Sequence, residues 1–239
     1  MKAKIYSNNN FCAIIGTWDP PIIEFKEMVL ELFSYCNSNQ LCPLVIMINP
    51  NPSIFYAEKY YRDYLDVYAR IEFLNTLGVR DCLIMEFEKR DIEASAKDFF
   101  TELYNIVSIK ELWLGGLQSF GTGESGSQQE IIKQCRLRNI EVKILEKTLK
   151  VKIGRSKIYK YFINSDFEKT YELTGFFPTF NKELSDTLNF FDGEYWIYNT
   201  RLPFNYISHT KQLITILNGK IQNKIELKFP WVSIINRNV

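Results

Sequence analysis

Five short apolar runs alternate with amphipathic stretches through the first 145 residues, and that alternation leaves few folds open. The runs fall at 11–16, 43–48, 81–87, 111–114 and 141–145. Apolar runs of this length, bounded by turn residues, read as strands buried on both faces. The stretches between them carry helical signals. Residues 23–35 form an amphipathic pattern. Tyr64, Val67, Ile71 and Leu74 follow 3-4-3 spacing, and Gly78 is placed to cap that helix. Ser95 to Asp98 has the form of a capping box, ahead of an apolar face made by Phe99, Leu103 and Ile106. Residues 126–139 read as a further helix. Strand–helix alternation with buried strands predicts an α/β fold with a parallel sheet and right-handed crossovers.

The first run stops sharply at Gly16, followed by Thr17, Trp18, Asp19 and Pro20. A glycine at the carboxyl end of a buried strand lets backbone N–H groups approach a phosphate. The helix that follows then offers its positive N-terminus to an anion. A plain strand-to-helix turn accounts for the same residues equally well. Asn49 and Asn51 flank prolines at the end of the second run, as pocket residues or as turn residues. Residues 119–129 form the one Gly/Ser-rich loop, which either cradles phosphate through its N–H groups or is simply solvated.

After about residue 150 the character changes. Residues 158–173 look helical, and short strand signals follow at 193–198, 209–217 and 221–229. Asn218-Gly219 between two apolar runs is a hairpin signal. The expected organisation is a Rossmann-like domain over 1–175 followed by a small, reduced β-barrel-like domain over 176–239.

The totals exclude several classes. A net charge of +1 gives no electrostatic case for nucleic acid or a membrane surface. No run approaches the roughly 18 apolar residues of a membrane-spanning helix. The five cysteines contain no C-x-x-C pair, and the chain has one histidine, His209, so no zinc motif is present. Reduced thiols and no evident signal peptide point to the cytoplasm. Aromatic residues reach 15%, so most Phe and Tyr must lie in the core.

Taken together, these segments resemble the bacterial bifunctional riboflavin kinase/FAD synthetase family, above all its FMN adenylyltransferase domain. The family strand ending G-x-F-D-G-x-H-x-G-H corresponds to 16–25, Gly16-Thr-Trp-Asp-Pro-Pro-Ile-Ile-Glu-Phe25. F-D-P-H-P corresponds to Ile48-Asn-Pro-Asn-Pro52, L-G-V-D to Leu77-Gly-Val-Arg80, and S-A-x-x-F to Ser95-Ala-Lys-Asp-Phe99. V-G-x-D-F-R-F-G-x-x-R-x-G-D lines up with 114–127, I-S-S-T-x-I-R with 153–159, and the helix after it with Phe162 to Gly175. Less closely, G-F-P-T-A-N of the family's kinase barrel matches 176–181, G-V-Y matches 193–195 and E-V-H matches 226–228.

The departures concern charged and donor groups. Both family histidines are replaced, by Ile22 and Phe25. Leu117 stands for an Asp, Ser119 for an Arg, Gly154-Arg155-Ser156 for S-S-T and Tyr159 for the final Arg. The resemblance implies an ancestral reaction of ATP and FMN giving FAD and pyrophosphate, weakened or replaced here. The alternative is an inactive nucleotide- or flavin-binding regulatory protein, or one that binds a protein partner through Phe176, Phe177, Trp196, Tyr198 and Trp231. The candidate catalytic groups are Asp19 and Ser156; Asp19 either assists binding of a Mg²⁺-nucleotide or caps the following helix. Candidate nucleotide- or flavin-binding residues are Gly16, Thr17, Trp18, Asn49, Asn51, Gly115, Phe120, Gly121, Arg155, Thr179 and Asn181. Trp18 reads as core or as a stacking surface. Glu226 occupies the place of the kinase base. No metal ligand is expected from the protein itself, and Mg²⁺ is expected only with the nucleotide.

Overall fold

A computed structural model describes residues 6–56, 63–92, 94–115, 127–145, 155–182, 192–200, 203–204, 211–218, 220–222, 227, 229 and 231–238. The chain divides into two compact units. One comprises 1–17, 26–55 and 77–150; the other comprises 18–25, 56–76 and 151–239.

In the first unit, strands β1 (Tyr6–Gly16), β2 (Cys42–Asn49), β3 (Cys82–Glu86), β4 (Val107–Gly115) and β5 (Glu141–Leu145) form one sheet in the order β3-β2-β1-β4-β5. Every pairing is parallel. The strands sit where the apolar runs predicted them, with β1 and β4 extended toward their N-termini. Helix α1 (Ile23–Asn39) follows β1, and the short α2 (Ser53–Tyr56) follows β2. Helices α4 (Ala96–Ile106) and α5 (Gln128–Arg136) pack on one face of the sheet. That face joins Ala13, Ile15, Leu44, Ile46, Leu112 and Leu114 to Phe100, Leu103 and Ile131, all buried. The opposite face carries Cys12, Ile14, Val45, Met47 and Trp113, also buried, and the Tyr35 ring of α1 meets Trp113 edge-on at 5.2 Å. Burial on both faces is why the three central strands β2, β1 and β4 read as apolar runs, whereas the outer strands β3 and β5 are only partly buried. The capping box at α4 is present, with Ser95 accepting from the Asp98 N–H and the Asp98 carboxylate accepting from the Ser95 N–H.

The second unit contains α3 (Val67–Thr76), α6 (Arg155–Ile163) and α7 (Phe167–Thr174). Its antiparallel sheet comprises β6 (Thr179–Asn181), β7 (Gly193–Thr200), β8 (Lys211–Leu217), β9 (Lys220–Ile221) and β10 (Trp231–Asn238), in the order β6-β10-β7-β8-β9. Tyr195, Ile197, Ile214, Ile216, Val232 and Ile234 are among its buried residues. Aromatic rings run from Tyr64 to Phe162, Phe167 and Tyr195 at centroid separations of 5.2, 6.1 and 6.3 Å. The β8–β9 pairing closes over Asn218, at φ 52, as the Asn-Gly signal predicted.

Four readings need correction. The strand expected over 221–229 stops at Ile221, and Gln222, Leu227 and Phe229, its other described residues, are not in a strand. The single helix expected over 158–173 is two helices. Ser165 turns into the left-handed region at φ 59, and Asp166 caps α7 by accepting from the Lys169 N–H. The buried face of α3 is Ala69, Arg70, Phe73 and Leu74, while Val67 and Ile71 are only half-buried. The arginine shifts the face, because it has buried carboxylates to meet. Finally, β10 was not foreseen at all. A register shift between Ile234 and Asn236 breaks the alternation that would have marked it.

Candidate functional site

Strand order fixes where an open parallel sheet can hold a ligand. The order 3-2-1-4-5 reverses between β1 and β4, and a crevice opens outside the carboxyl ends of the strands at such a switch point. Gly16 ends β1 and Gly115 ends β4, so two glycines flank the switch point, with Thr17 directly following Gly16. Asn49 ends β2, the next strand, and its carbonyl accepts from the Phe87 N–H at 2.8 Å. Asn51 is buried, and its carbonyl accepts from the Ile54 N–H at 3.0 Å, so it opens the turn into α2. The rings of Phe55 and Phe87 lie 6.0 Å apart beside this strand end. The Ser127 hydroxyl accepts from the Glu130 N–H and caps α5. Gln128 Nε2 donates to the Gly115 carbonyl at 3.2 Å, which fixes the end of β4 to the start of α5. The first unit thus brings together Gly16, Thr17, Asn49 and Gly115 from three separate strand ends. Phe120 and Gly121, with residues 119–126 of the glycine-rich loop, lie outside the described residues, as do Leu117, Gly154, His209 and Glu226, while Gln128 and Gln129 begin α5 and are not loop.

The other candidates belong to the second unit. Trp18 is buried, at φ 58, and meets the Phe25 ring edge-on at 4.9 Å. Ile22 directly precedes α1, and Phe25 lies in its first turn; both are half-buried. Asp19 is fully buried. Its Oδ2 accepts from the Tyr64 N–H at 2.9 Å and from the Tyr159 hydroxyl at 2.7 Å, and its Oδ1 accepts from the Leu65 N–H at 2.8 Å. Asp19 therefore ties the segment ahead of α1 to the segment ahead of α3 and to α6. Arg155 and Ser156 form the first turn of α6, and their side chains are not described. Thr179 and Asn181 are buried in β6. The Thr179 hydroxyl donates to the Phe177 carbonyl at 2.8 Å and stands 2.8 Å from the Ser233 hydroxyl.

The electrostatics centre on Arg70. Its side chain is fully buried, 4.0 Å from Asp63 Oδ2. Burial pushes the Asp63 carboxyl up to about 7, with Asp19 and Asp66 adding to the rise and Arg70 opposing it. Burial also raises Asp19, against the pull of Arg70, the Tyr64 and Leu65 amides and the Tyr159 hydroxyl. Asp66 caps α3, accepting from the Ala69 N–H at 2.7 Å, and it also accepts from the Asn181 N–H at 2.8 Å. Tyr159 figured in the sequence only as a departure from a motif, and Asp63, Tyr64 and Arg70 carried no reading of function. The available signal was an arginine on the apolar side of a short helix, which has to find a buried partner. Among the described residues, no three His, Cys, Asp or Glu side chains stand together to hold a metal ion. No helix of the described residues is long and apolar enough to cross a membrane.

Comparison with known proteins adds a family. The model of the FAD synthetase family matches residues 6–159. No curated protein matches the chain. Among solved structures, the crystal structure of a macrolide-efflux protein from Streptococcus pneumoniae is similar over 98% of this chain and 88% of its own, with a TM-score of 0.65. Identity to it is 16%, so the likeness is one of fold.

Proposed function

The chain belongs to the FAD synthetase family, and from that premise we propose that it binds a nucleotide, ATP first, as a nucleotidyltransferase whose adenylyl-transfer step is weakened or redirected. The observation that carries the reading is the pair of glycines at the β1 and β4 ends, either side of the point where strand order reverses. Backbone N–H groups there can meet phosphate oxygens without a side chain in the way. Asn49, Phe55 and Phe87 offer a polar group and two rings at the neighbouring strand end, chemistry suited to the flat isoalloxazine of FMN.

In the ancestral reaction an oxygen of the FMN phosphate attacks the α-phosphorus of ATP and pyrophosphate leaves. Negative charge grows on the phosphates, and preorganised donors lower the barrier. Ile22 and Phe25, at the positions of the family histidines, have no hydrogen to donate. Losing one such donor typically costs on the order of a hundredfold in rate. Mg²⁺ would come with the nucleotide, held mainly by its phosphates and water, as is usual for this ion. Its role would be to neutralise that charge.

The test is incubation of the pure chain with ATP, Mg²⁺ and FMN, with FAD and pyrophosphate as readouts. The wild type is expected to be slow and Ile22→His with Phe25→His faster, with little change in nucleotide affinity. Turnover by the wild type on the order of one per second would overturn the reading. A second reading, a binding protein without chemistry, draws on Phe25 being packed against Trp18. Equilibrium dialysis with FMN, FAD, ATP and CTP separates the two, since this reading expects binding with neither product formed.

A further inference from the structure

Two carboxylates of the second unit, Asp19 and Asp63, share one guanidinium, and a third, Asp66, stands near Asp63. Asp19 approaches from the segment ahead of α1, Asp63 and Asp66 from the segment ahead of α3, and Arg70 from α3 itself. The Tyr159 hydroxyl of α6 donates to Asp19. Asp19 and Arg70 are fully buried, and the Asp63 side chain is 12% exposed. Among the described residues, one positive charge faces two buried negative charges, a surplus that a low-dielectric interior does not tolerate, and a proton removes it. The hydrogen bonds decide where that proton sits. Asp19 accepts three, each of which favours the ionised form. Asp66 accepts two backbone N–H groups and is partly open to water. Asp63 Oδ1 is buried with no hydrogen-bond partner among the described residues, and Oδ2 lies 4.0 Å from Arg70, beyond hydrogen-bond reach.

We propose that Asp63 carries the proton of this cluster, and that its loss loosens residues 63–66 from β6. The attachment at stake is specific. Thr179 N–H donates to the Tyr64 carbonyl and Asp66 N–H to the Thr179 carbonyl, each at 3.3 Å, and Asn181 N–H donates to Asp66 Oδ2. Two of these bonds are long, and an added negative charge beside Asp19 and Asp66 pushes against all three. The folded chain holds the Asp63 proton more tightly than the unfolded chain does. The stability this contributes is full below the unfolded value near 4 and declines as pH rises to about 7. Within that window the folding equilibrium changes by up to tenfold per pH unit.

The experiment is thermal unfolding of the full chain across this pH range and above it, alongside Asp63→Asn, which imitates the protonated carboxyl. The expected wild-type midpoint falls as pH rises to neutrality; the variant falls less and is at least tenfold more stable in its folding equilibrium at pH 8. Amide exchange at Thr179 and Asn181, corrected for intrinsic rates, is expected to quicken with pH in the wild type and not in the variant. Parallel pH profiles for the two chains would overturn the proposal. If the variant does not fold, the ¹³C carboxyl resonance of Asp63 in the wild type decides. A midpoint near 7 supports the assignment and one near 4 overturns it.

Discussion

The two units of this chain bury different things. The parallel sheet of the first is enclosed by aliphatic and aromatic side chains, and its buried polar residues are Asn51, Glu111 and Gln134 among those described. Glu111 is fully provided for. It accepts from Trp113 Nε1 at 2.8 Å and from the Tyr35 hydroxyl, which holds the Tyr35 phenol up to about 12. The second unit buries Asp19, Arg70, Thr170, Thr174, Thr179, Asn181, Asn199 and Ser233. The difference follows from backbone geometry. A five-stranded parallel ladder satisfies its own N–H and C=O groups, so its side chains are left to pack. Short segments such as 63–66 and 176–178 lie outside the named strands, and side-chain carboxylates, amides and hydroxyls complete their hydrogen bonding. Asn199 is an example, bridging the Phe229 N–H and the Phe229 and Trp231 carbonyls.

That contrast predicts unequal sensitivity to substitution. The largest effect is expected from Arg70→Met, which keeps the volume of the side chain and leaves Asp19 and Asp63 without their cation. Breaking a buried ion pair typically costs about 3–5 kcal/mol. Denaturant unfolding measures it, and a loss under about 1 kcal/mol would erase the distinction between the units. Ile46→Val in the first unit removes one methylene from a fully buried strand residue and should cost about 0.5–1.5 kcal/mol. A cost matching that of Arg70→Met would mean that packing, and not charge, dominates in both units. The smallest effect, and one of opposite sign, is expected from Ser165→Gly. Ser165 holds φ 59 between α6 and α7, and glycine relieves a left-handed strain of about 1 kcal/mol, offset in part by its greater freedom when unfolded. A small rise in melting temperature is the expected result.

The same contrast explains what could be read in advance. Residues 43–48 were legible because burial on both faces writes itself as an apolar run. The Ser95–Asp98 box was legible because capping is local chemistry. The strand-end glycines were legible because each stops an apolar run. The Asp19 network was not, since Asp19 and Tyr159 are 140 residues apart and neither belongs to a periodic pattern that predicts the other. Arg70 carried no reading, because the 3-4-3 spacing placed the face of its helix on Tyr64, Val67, Ile71 and Leu74. β10 hid because Ile234 and Ile235 are both buried across a bulge, so its apolar residues do not alternate.

Strand β10 lies between β6 and β7 in its sheet, yet it follows both of them in the chain. Synthesis runs from the N-terminus, so β6 emerges with one future neighbour still unmade and more than fifty residues of chain to come. The β7–β8 hairpin can zip early, because its partners are close in sequence, whereas β6 waits for a strand that arrives last. During that interval its edge is unpaired, the condition that invites pairing with another chain. The first unit has all five of its strands by Leu145 and is under no such delay. A nascent chain would therefore carry a finished parallel sheet while the antiparallel one is still open, and the interval between the two is the period in which a holding chaperone would matter most.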